Sequence, residues 1–318
     1  METTFVVGID VGGQTSKLGV VDANGNVLAQ TVIRTDTYSE VEPYIAELAA
    51  AVKQVISEAG VEGKVKGIGV GAPNANYYTG TIENAVNLSW GAKTVEFSKL
   101  LSEAMGGLPV ALTNDANAAA VGEMKYGAAR GMKNFIMITL GTGVGSGIIV
   151  NGNVLYGHDG FAGELGHVAA VRNNGRTCNC GKTGCLETYA SATGVARTAR
   201  EWLELSDEPS VLRNLDKIAS KDVYEAAKAG DKLALKIFEF TGKILGRSFA
   251  DFIAFSSPEA IVLFGGLARA KEFLTAPIEE AMNANVLPLW RNKVKIVYSQ
   301  LKESDAAILG ASALAWEL

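Results

Sequence analysis

The chain has 318 residues, of which 48% are hydrophobic and 36 are glycine. This length and composition predict a folded α/β protein with two domains, and they exclude a disordered chain. The formal net charge is -5 and the 29 lysines and arginines are scattered, so we expect neither nucleic acid nor a membrane as a partner. Because no signal-peptide pattern and no apolar run of about 18 residues is present, we expect a cytoplasmic location.

Two segments of the chain resemble one another. Residues 8–30 (GIDVGGQTSKLGVVDANGNVLAQ) and residues 138–157 (ITLGTGVGSGIIVNGNVLYG) each contain an apolar strand, a loop of small residues, a second strand and the letters NGNVL. Asn-Gly between two β-rich runs predicts a hairpin turn in which both turn residues have positive φ. We therefore predict a duplicated unit of strand, loop, strand, turn and strand, although two unrelated hairpins would give the same local pattern.

The remaining elements alternate between strand and helix. Residues 40–60 carry apolar side chains three and four positions apart, which predicts an amphipathic helix. Strands are predicted in KGIGVGAP (66–73) and LPVALTND (108–115), and a helix is predicted from Asp115 onward. Residues 190–256 are predicted to be mainly helical, and residues 258–274 to form a strand, a glycine pair and a helix.

This order predicts two α/β domains that face a cleft, with the binding groups at strand ends and in loops. We place the N-terminal domain at 1–115 and the C-terminal domain at 116–303. A last helix, at about 304–318, is expected to pack back on the N-terminal domain.

All three cysteines lie in one polar, glycine-rich loop, TCNCGKTGCLE (177–187). Cys178, Cys180 and Cys185 have the spacing C-x-C-x4-C, and an odd number of cysteines in a reducing compartment argues against a disulfide framework. Three thiolates and one imidazole complete the closed tetrahedral shell of a structural Zn²⁺ site. We predict His167 as the fourth ligand, with His158 as the alternative; a loop of this composition is a poor place for packed, unligated thiols.

Two loops of small residues are candidates for binding phosphate. DVGGQTSK (10–17) and GTGVGSG (141–147) each lie between strands, where backbone N–H groups can approach phosphate oxygens. Either loop alone is weak evidence for a phosphate site, because glycine hairpins are common. As a pair on duplicated hairpins they predict a nucleoside triphosphate site, with Asp10 holding Mg²⁺ directly or through water.

Asn114 and Asp115 lie where a predicted strand gives way to a helix. From the residues alone, a helix cap explains them best, because Asn and Asp side chains accept hydrogen bonds from free helix N–H groups. The alternative makes Asp115 the general base that accepts a hydroxyl proton during phosphoryl transfer. Glu164 and Glu187 flank the cysteine loop, and they are either substrate-positioning carboxylates or ordinary surface charges.

Together these motifs resemble the ROK family (repressor, open reading frame, kinase). The resemblance rests, in order along the chain, on DVGGQTSK, VALTNDANAAAVGE, ITLGTGVGSGIIV, GFAGELGH, the cysteine run ending in GCLE, and IVLFGG. It implies a duplicated actin-like ATPase fold, related to ribonuclease H, and an ATP-dependent sugar kinase or a sugar-sensing repressor. It also implies a homodimer or a dimer of dimers.

The resemblance implies roles for individual residues. Asp115 would be the catalytic base, and His167 would serve both zinc and sugar. The sugar would be held by Asn74, Asn87, Asn114, Asp115, Glu164, His167 and Glu187. The nucleotide would be held by Asp10, Gly12, Gly13, Gln14, Thr15 and Lys17 in the first loop, by Gly141, Thr142 and Gly143 in the second, and by Gly265 and Gly266 at the adenosine end.

The chain departs from the family pattern at two positions. Gln14 follows the first glycine pair, where the family usually has threonine, and Asn74 follows Pro73, where it usually has glycine. The expected activity is phosphorylation of a hexose, with glucose ahead of N-acetylhexosamines. The alternative is a regulator without catalysis; because family repressors carry a helix-turn-helix segment before the first glycine loop, which begins here at residue 10, we expect the kinase.

Overall fold

The computed structural model describes residues 4–302 and 304–318. Its strands are β1 (Phe5–Val11), β2 (Thr15–Val21), β3 (Val27–Arg34), β4 (Val65–Gly71), β5 (Ala75–Asn76), β6 (Thr81–Ile82), β7 (Val110–Thr113), β8 (Phe135–Leu140), β9 (Val144–Val150), β10 (Asn153–Val154), β11 (Ala260–Phe264) and β12 (Lys295–Tyr298). Its α-helices are α1 (Val41–Glu58), α2 (Phe97–Ala104), α3 (Asp115–Tyr126), α4 (Glu187–Ala190), α5 (Ala192–Leu205), α6 (Ser220–Lys228), α7 (Lys232–Ser256), α8 (Lys271–Asn285) and α9 (Ala306–Ala315).

Two five-stranded sheets have the same internal order. The first runs β3-β2-β1-β4-β7 and the second β10-β9-β8-β11-β12. In each, the first three strands are antiparallel neighbours and the last two are parallel to the central strand. The repeat predicted from the sequence is therefore a structural duplication that extends to whole sheets.

The two NGNVL turns differ in geometry. In the second copy, Asn151 and Gly152 both have positive φ, as the two-residue hairpin requires. In the first copy only Gly25 does, because the Asp22 carboxylate accepts hydrogen bonds from the backbone N–H groups of Asn24 and Asn26 and closes a longer loop. The expectation of positive φ at both turn residues is therefore wrong for the first copy.

Two helices connect the sheets. Helix α9 packs on the first sheet, where Ile308 and Leu309 are buried against Val6 and Val21. Helix α3 packs on the second sheet, and its Ala118 and Val121 face Ala313 and Leu314 of α9. These two apolar helices form the core between the halves.

Separate cores lie on the outer faces. Helices α1 and α2 cover the first sheet, and α4 to α8 cover the second. Residues 1–3, which belong to the predicted N-terminal domain, and the predicted boundary at residue 303 lie outside the described residues. Among the described residues, the helices are too short or too polar to cross a membrane.

Candidate functional site

The first glycine loop is the turn between β1 and β2. It is closed by the Gly12 N–H, which donates to the carbonyl of Thr15 at 3.1 Å. Asp10 is the penultimate residue of β1 and pairs across the hairpin with Lys17. Gly13 lies against the sugar loop, defined as residues 71–90, because a Cβ on Gly13 would lie 2.7 Å from the Asn87 carbonyl oxygen. The first glycine loop and the sugar loop thus meet at Gly13.

The end of β7 places Asn114 and Asp115 differently. Asn114 is the N-cap of α3, since its Oδ1 accepts from the Asn117 N–H at 2.7 Å. Asp115 is the first helical residue, is exposed to solvent, and accepts only from the adjacent Ala116 N–H at 2.8 Å. Because Asn114 already accepts the hydrogen bond that caps α3, helix capping does not explain the presence of Asp115.

Asp10 and Asp115 lie near each other at the carboxyl edge of the first sheet, at the ends of β1 and β7. Burial raises the pKa of Asp10 to about 6, the negative charge of Asp115 adds to the rise, and Lys17 opposes it. Desolvation by the surrounding cleft walls also raises the pKa of Asp115, even though part of its side chain reaches solvent. The site therefore holds excess negative charge, which favours a cation or a proton between the two carboxyls.

Glu164 joins this group from the second half. It precedes a 3-10 helix, Leu165–His167, and it is exposed to the cleft. Desolvation raises its pKa, and the nearby charges of Asp115 and Glu187 act in the same direction. His167 opposes the rise. Carboxylates from both halves and one imidazole thus surround the same space.

The four predicted zinc ligands converge. The ligand atoms of His167, Cys178, Cys180 and Cys185 all lie within 4.8 Å of one another. The Cys180 and Cys185 sulfurs are 3.6 Å apart, and His167 Nδ1 is 3.7 Å from the Cys178 sulfur. Tetrahedral Zn–S and Zn–N bonds of about 2.3 and 2.05 Å require edges of about 3.6–3.8 Å, so the cluster fits a zinc ion. His158 is not part of it.

A second anchor holds the cysteine loop to α5. The Arg176 side chain is only 8% exposed and lies over the Tyr189 ring, 4.5 Å from its centroid. Its Nε donates to Glu201 at 3.0 Å, and its other nitrogens donate to the Thr188 carbonyl and to the Thr198 hydroxyl. This network holds the segment before the cysteines to α5 without any metal.

Glu187 links the cysteine loop to the second glycine loop. One carboxylate oxygen accepts from the Val144 N–H at 3.0 Å, and the other lies 3.8 Å from the Cys178 sulfur. Gly143 leaves room for this carboxylate, since a Cβ would lie 2.2 Å from its oxygen and would displace it from the Val144 N–H. The loop is closed by the Gly141 N–H, which donates to the Gly143 carbonyl, and Thr142 is exposed at its tip.

The two departures in the sequence have different consequences. Asn74 has a φ of +51°, a region that glycine prefers and asparagine tolerates. Its Nδ2 donates to the carbonyls of Glu83 and Asn84 at 3.0 and 3.1 Å, so its amide nitrogen closes the sugar loop on itself. Gln14 is exposed at the tip of the first loop, and Thr15 already belongs to β2.

The glycine pair after β11 borders two cavities. Gly265 has a φ of +101° and lies against the Leu140 carbonyl, so it is close to the second glycine loop. A cavity of about 300 Å³ adjoins Gly266; it is lined on the other side by Ser220, Lys221, Tyr224 and Glu225. The sequence reasoning missed these four residues, because no local motif marks the start of α6.

Two matching α/β halves, paired glycine hairpins and carboxylates at the strand ends define the class of two-domain proteins with an actin-like ATPase fold. The chain belongs to the ROK family, whose family model matches residues 6–317. It is 39% identical to the glucokinase of Halalkalibacterium halodurans over 98% of this chain and 94% of the relative.

Solved structures show the same fold. A ROK family glucokinase from Streptomyces griseus, in complex with glucose and AMPPNP, superposes with a TM-score of 0.79 at 31% identity over 99% of this chain and all of the other. A ROK family transcriptional regulator, a homologue of the E. coli MLC protein, superposes with a TM-score of 0.87 at 27% identity over 99% of this chain and 78% of the other. The fold is thus shared by kinases and regulators, so only the residues of the site can distinguish the two functions.

Proposed function

We propose that the protein is an ATP-dependent glucokinase that transfers the γ-phosphoryl group of ATP to the C6 hydroxyl of glucose. The observation that carries the proposal is the proximity of Asp10 and Asp115 at the carboxyl edge of the first sheet, beside a glycine hairpin and near Glu164 of the second half. Similarity to the Halalkalibacterium glucokinase over nearly the full length of both chains supports it.

Asp115 is the proposed general base. The C6 oxygen attacks the γ-phosphorus, the bond from that phosphorus to the β–γ bridging oxygen breaks, and the hydroxyl proton passes to the Asp115 carboxylate. Position matters more than basicity in this reaction, since the transition state is loose and the proton moves late. Asp115 is free for this role because Asn114 caps the helix.

Asp10 fits a Mg²⁺ site. Mg²⁺ prefers carboxylate oxygens, and burial together with the charge of Asp115 raises the pKa of Asp10, so a divalent cation there would compensate a carboxylate that the protein leaves poorly solvated. Bound Mg²⁺ would offset charge on the β- and γ-phosphates. The phosphates would lie between Gly12, Gly13, Gln14, Thr15 and Lys17 on one side and Gly141, Thr142 and Gly143 on the other, with adenosine at Gly265 and Gly266.

The zinc cluster would brace the sugar side of the cleft. His167 Nδ1 faces the cysteine sulfurs, which leaves Nε2 for a sugar hydroxyl, so a bound metal would fix the ring orientation. Glu164, Glu187, Asn87 and Asn114 complete the proposed sugar contacts. Asn74 is the weakest member of the set, because its amide nitrogen is occupied within its own loop.

Asp115→Asn tests the proposal. Asparagine keeps the oxygen that accepts from Ala116 but cannot take a proton, so kcat should fall by a factor of about 10² to 10⁴. The glucose KM should stay within about twofold, because the Asn114 cap is unchanged and the new amide oxygen can still accept a hydrogen bond from a sugar hydroxyl. Wild-type turnover in this variant would refute the assignment of the base.

A panel of hexoses and amino-hexoses tests the substrate and the enzyme class together. ATP consumption by the wild-type protein should be stimulated most by glucose. Sugar binding without stimulated ATP consumption would instead indicate a regulator, and preference for an N-acetylhexosamine would correct the substrate.

A further inference from the structure

An aromatic contact connects the two halves beside the proposed sugar site. Tyr77, in the sugar loop, stacks on Tyr156, which follows β10; the ring centroids are 4.1 Å apart and the planes differ by 6°. Tyr78 is edge-on to Tyr156, with centroids 5.9 Å apart. We name these three side chains the tyrosine clasp.

Polar contacts surround the clasp. The Tyr78 hydroxyl donates to the Gly157 carbonyl at 2.8 Å. The buried Asn76 amide donates both to the Asp159 carbonyl at 2.9 Å and to the Glu83 carboxylate at 3.0 Å. The sugar loop is thus fastened to residues 157–159, which lead directly into the segment that carries Glu164 and His167.

Tyr156 also reaches the base. Its hydroxyl lies near the side chain of Thr113, the last residue of β7, and Asn114 and Asp115 follow at once. Thr113 in turn accepts from the Asn117 amide in the first turn of α3. One side chain therefore contacts the sugar loop through its ring and the strand end before Asp115 through its hydroxyl, while its own backbone continues to Glu164.

We propose that Tyr156 is a positioning residue for phosphoryl transfer, which fixes the geometry of the three chain segments that hold the sugar and its base. The proposal rests on the proposed function. In this proposal Tyr156 does not touch the substrate, and it acts by holding these segments in place. The effect can be large because a displacement of about 1 Å among reacting groups can lower a rate as much as 100-fold. The ring and the hydroxyl have separate partners, so their effects should be separable.

Two substitutions separate them. Tyr156→Leu removes the stack and the hydroxyl, and it should raise the glucose KM about tenfold or more, because the sugar loop loses its register against the second half. Tyr156→Phe keeps the stack and should lower kcat by about three- to tenfold at nearly constant glucose KM, because only the strand end before Asp115 is released. The ATP KM should stay within about twofold in both, since the ring contacts of Tyr156 are to Tyr77 and Tyr78 of the sugar loop.

Tyr126→Phe is the matched control. Tyr126 lies at the far end of α3, and its hydroxyl accepts a hydrogen bond from the Trp316 indole. This variant also loses one hydroxyl contact of a half-buried tyrosine, but away from the sugar segments. Its kinetic constants should match those of the wild type, and thermal unfolding of all variants measures general loss of stability.

Three outcomes decide the proposal. A rise in glucose KM in Tyr156→Leu, with a kcat effect in Tyr156→Phe and a silent control, supports it. Equal changes in the glucose and ATP constants, or kinetics like those of Tyr126→Phe, overturn it and leave the kinase assignment standing. If the wild-type protein itself shows no sugar-stimulated ATP consumption, both this proposal and the proposed function fail.

Discussion

Replacing Asp10 with asparagine should stabilise the ligand-free protein at pH 8 while it removes ATP-dependent activity. In the folded protein the pKa of Asp10 is raised to about 6 from an ordinary value of 3.8, through burial and the charge of Asp115. As the pH rises from about 3.8 to 6, the unfolded chain releases this proton before the native state does. Native stability therefore falls across this range, by about 3 kcal/mol once the pH exceeds 6.

Asparagine has a similar shape and no charge, so the variant should not lose this stability. The expected rise in the free energy of unfolding at pH 8 is up to about 3 kcal/mol, or on the order of 5 °C in Tm. At pH 4, where the native carboxyl is protonated, the two proteins should unfold at nearly the same temperature. Activity should be lost at every pH, because the amide cannot replace the anionic oxygen that Mg²⁺ requires.

Thermal unfolding at pH 4, 6 and 8, without nucleotide or Mg²⁺, measures the effect. Asp36→Asn is the control: that carboxylate pairs with Arg34 on the surface, and the pairing lowers its pKa, so its loss should not raise Tm at pH 8. An equal gain in Tm for Asp10→Asn at pH 4 and pH 8 would refute the electrostatic explanation. A destabilised variant at pH 8 would refute the raised pKa of Asp10 itself.

Two further predictions concern the cysteine loop. Cys180→Ser, or removal of metal with a chelator, should lower Tm and weaken glucose binding together, because a structural metal contributes to stability only in the folded loop. Full activity in protein that metal analysis shows to be free of zinc would contradict this prediction. Arg176→Ala should lower the free energy of unfolding by roughly 3 kcal/mol, since it leaves charged and polar partners unpaired. The folded variant should still bind one zinc per chain. Loss of zinc from the variant in buffer without denaturant would show that the Arg176 network and the metal cluster do not hold the loop independently.

Local sequence was sufficient for the elements whose signal is short in range. The helix over Val41–Glu58 follows from apolar spacing, and the hairpins follow from strands that flank small residues and Asn-Gly. The repeat of NGNVL indicated duplication, but the equivalence of whole sheets appears only in the strand order. The difference between the two turns depends on how the Asp22 carboxylate bonds nearby backbone N–H groups, which the shared letters do not reveal.

The site was predicted in its residue types and less well in its arrangement. The sequence could not separate Asn114 from Asp115, because both suit a helix N-terminus; the hydrogen bond from Asn117 to Asn114 separates them. Nor could it show that the Asn74 amide closes its own loop, or that Ser220 and Tyr224 line the cavity beside Gly266. These contacts join residues that only the packing of separate elements brings together.

Sequence by itself determined the chemistry available to this protein: three thiols at ligand spacing, two loops of small residues, and carboxylates at strand ends. Tertiary structure decided which of these groups meet. It placed His167 rather than His158 among the sulfurs, brought Asp10 near Asp115 at one edge of the first sheet, and stacked Tyr77 on Tyr156. The physical reason is the distance along the chain over which each interaction acts. Turns and amphipathic helices are set by neighbours within a few residues, whereas the Asp10–Asp115 contact depends on strand order and the ring contacts depend on two sheets joined through α3 and α9.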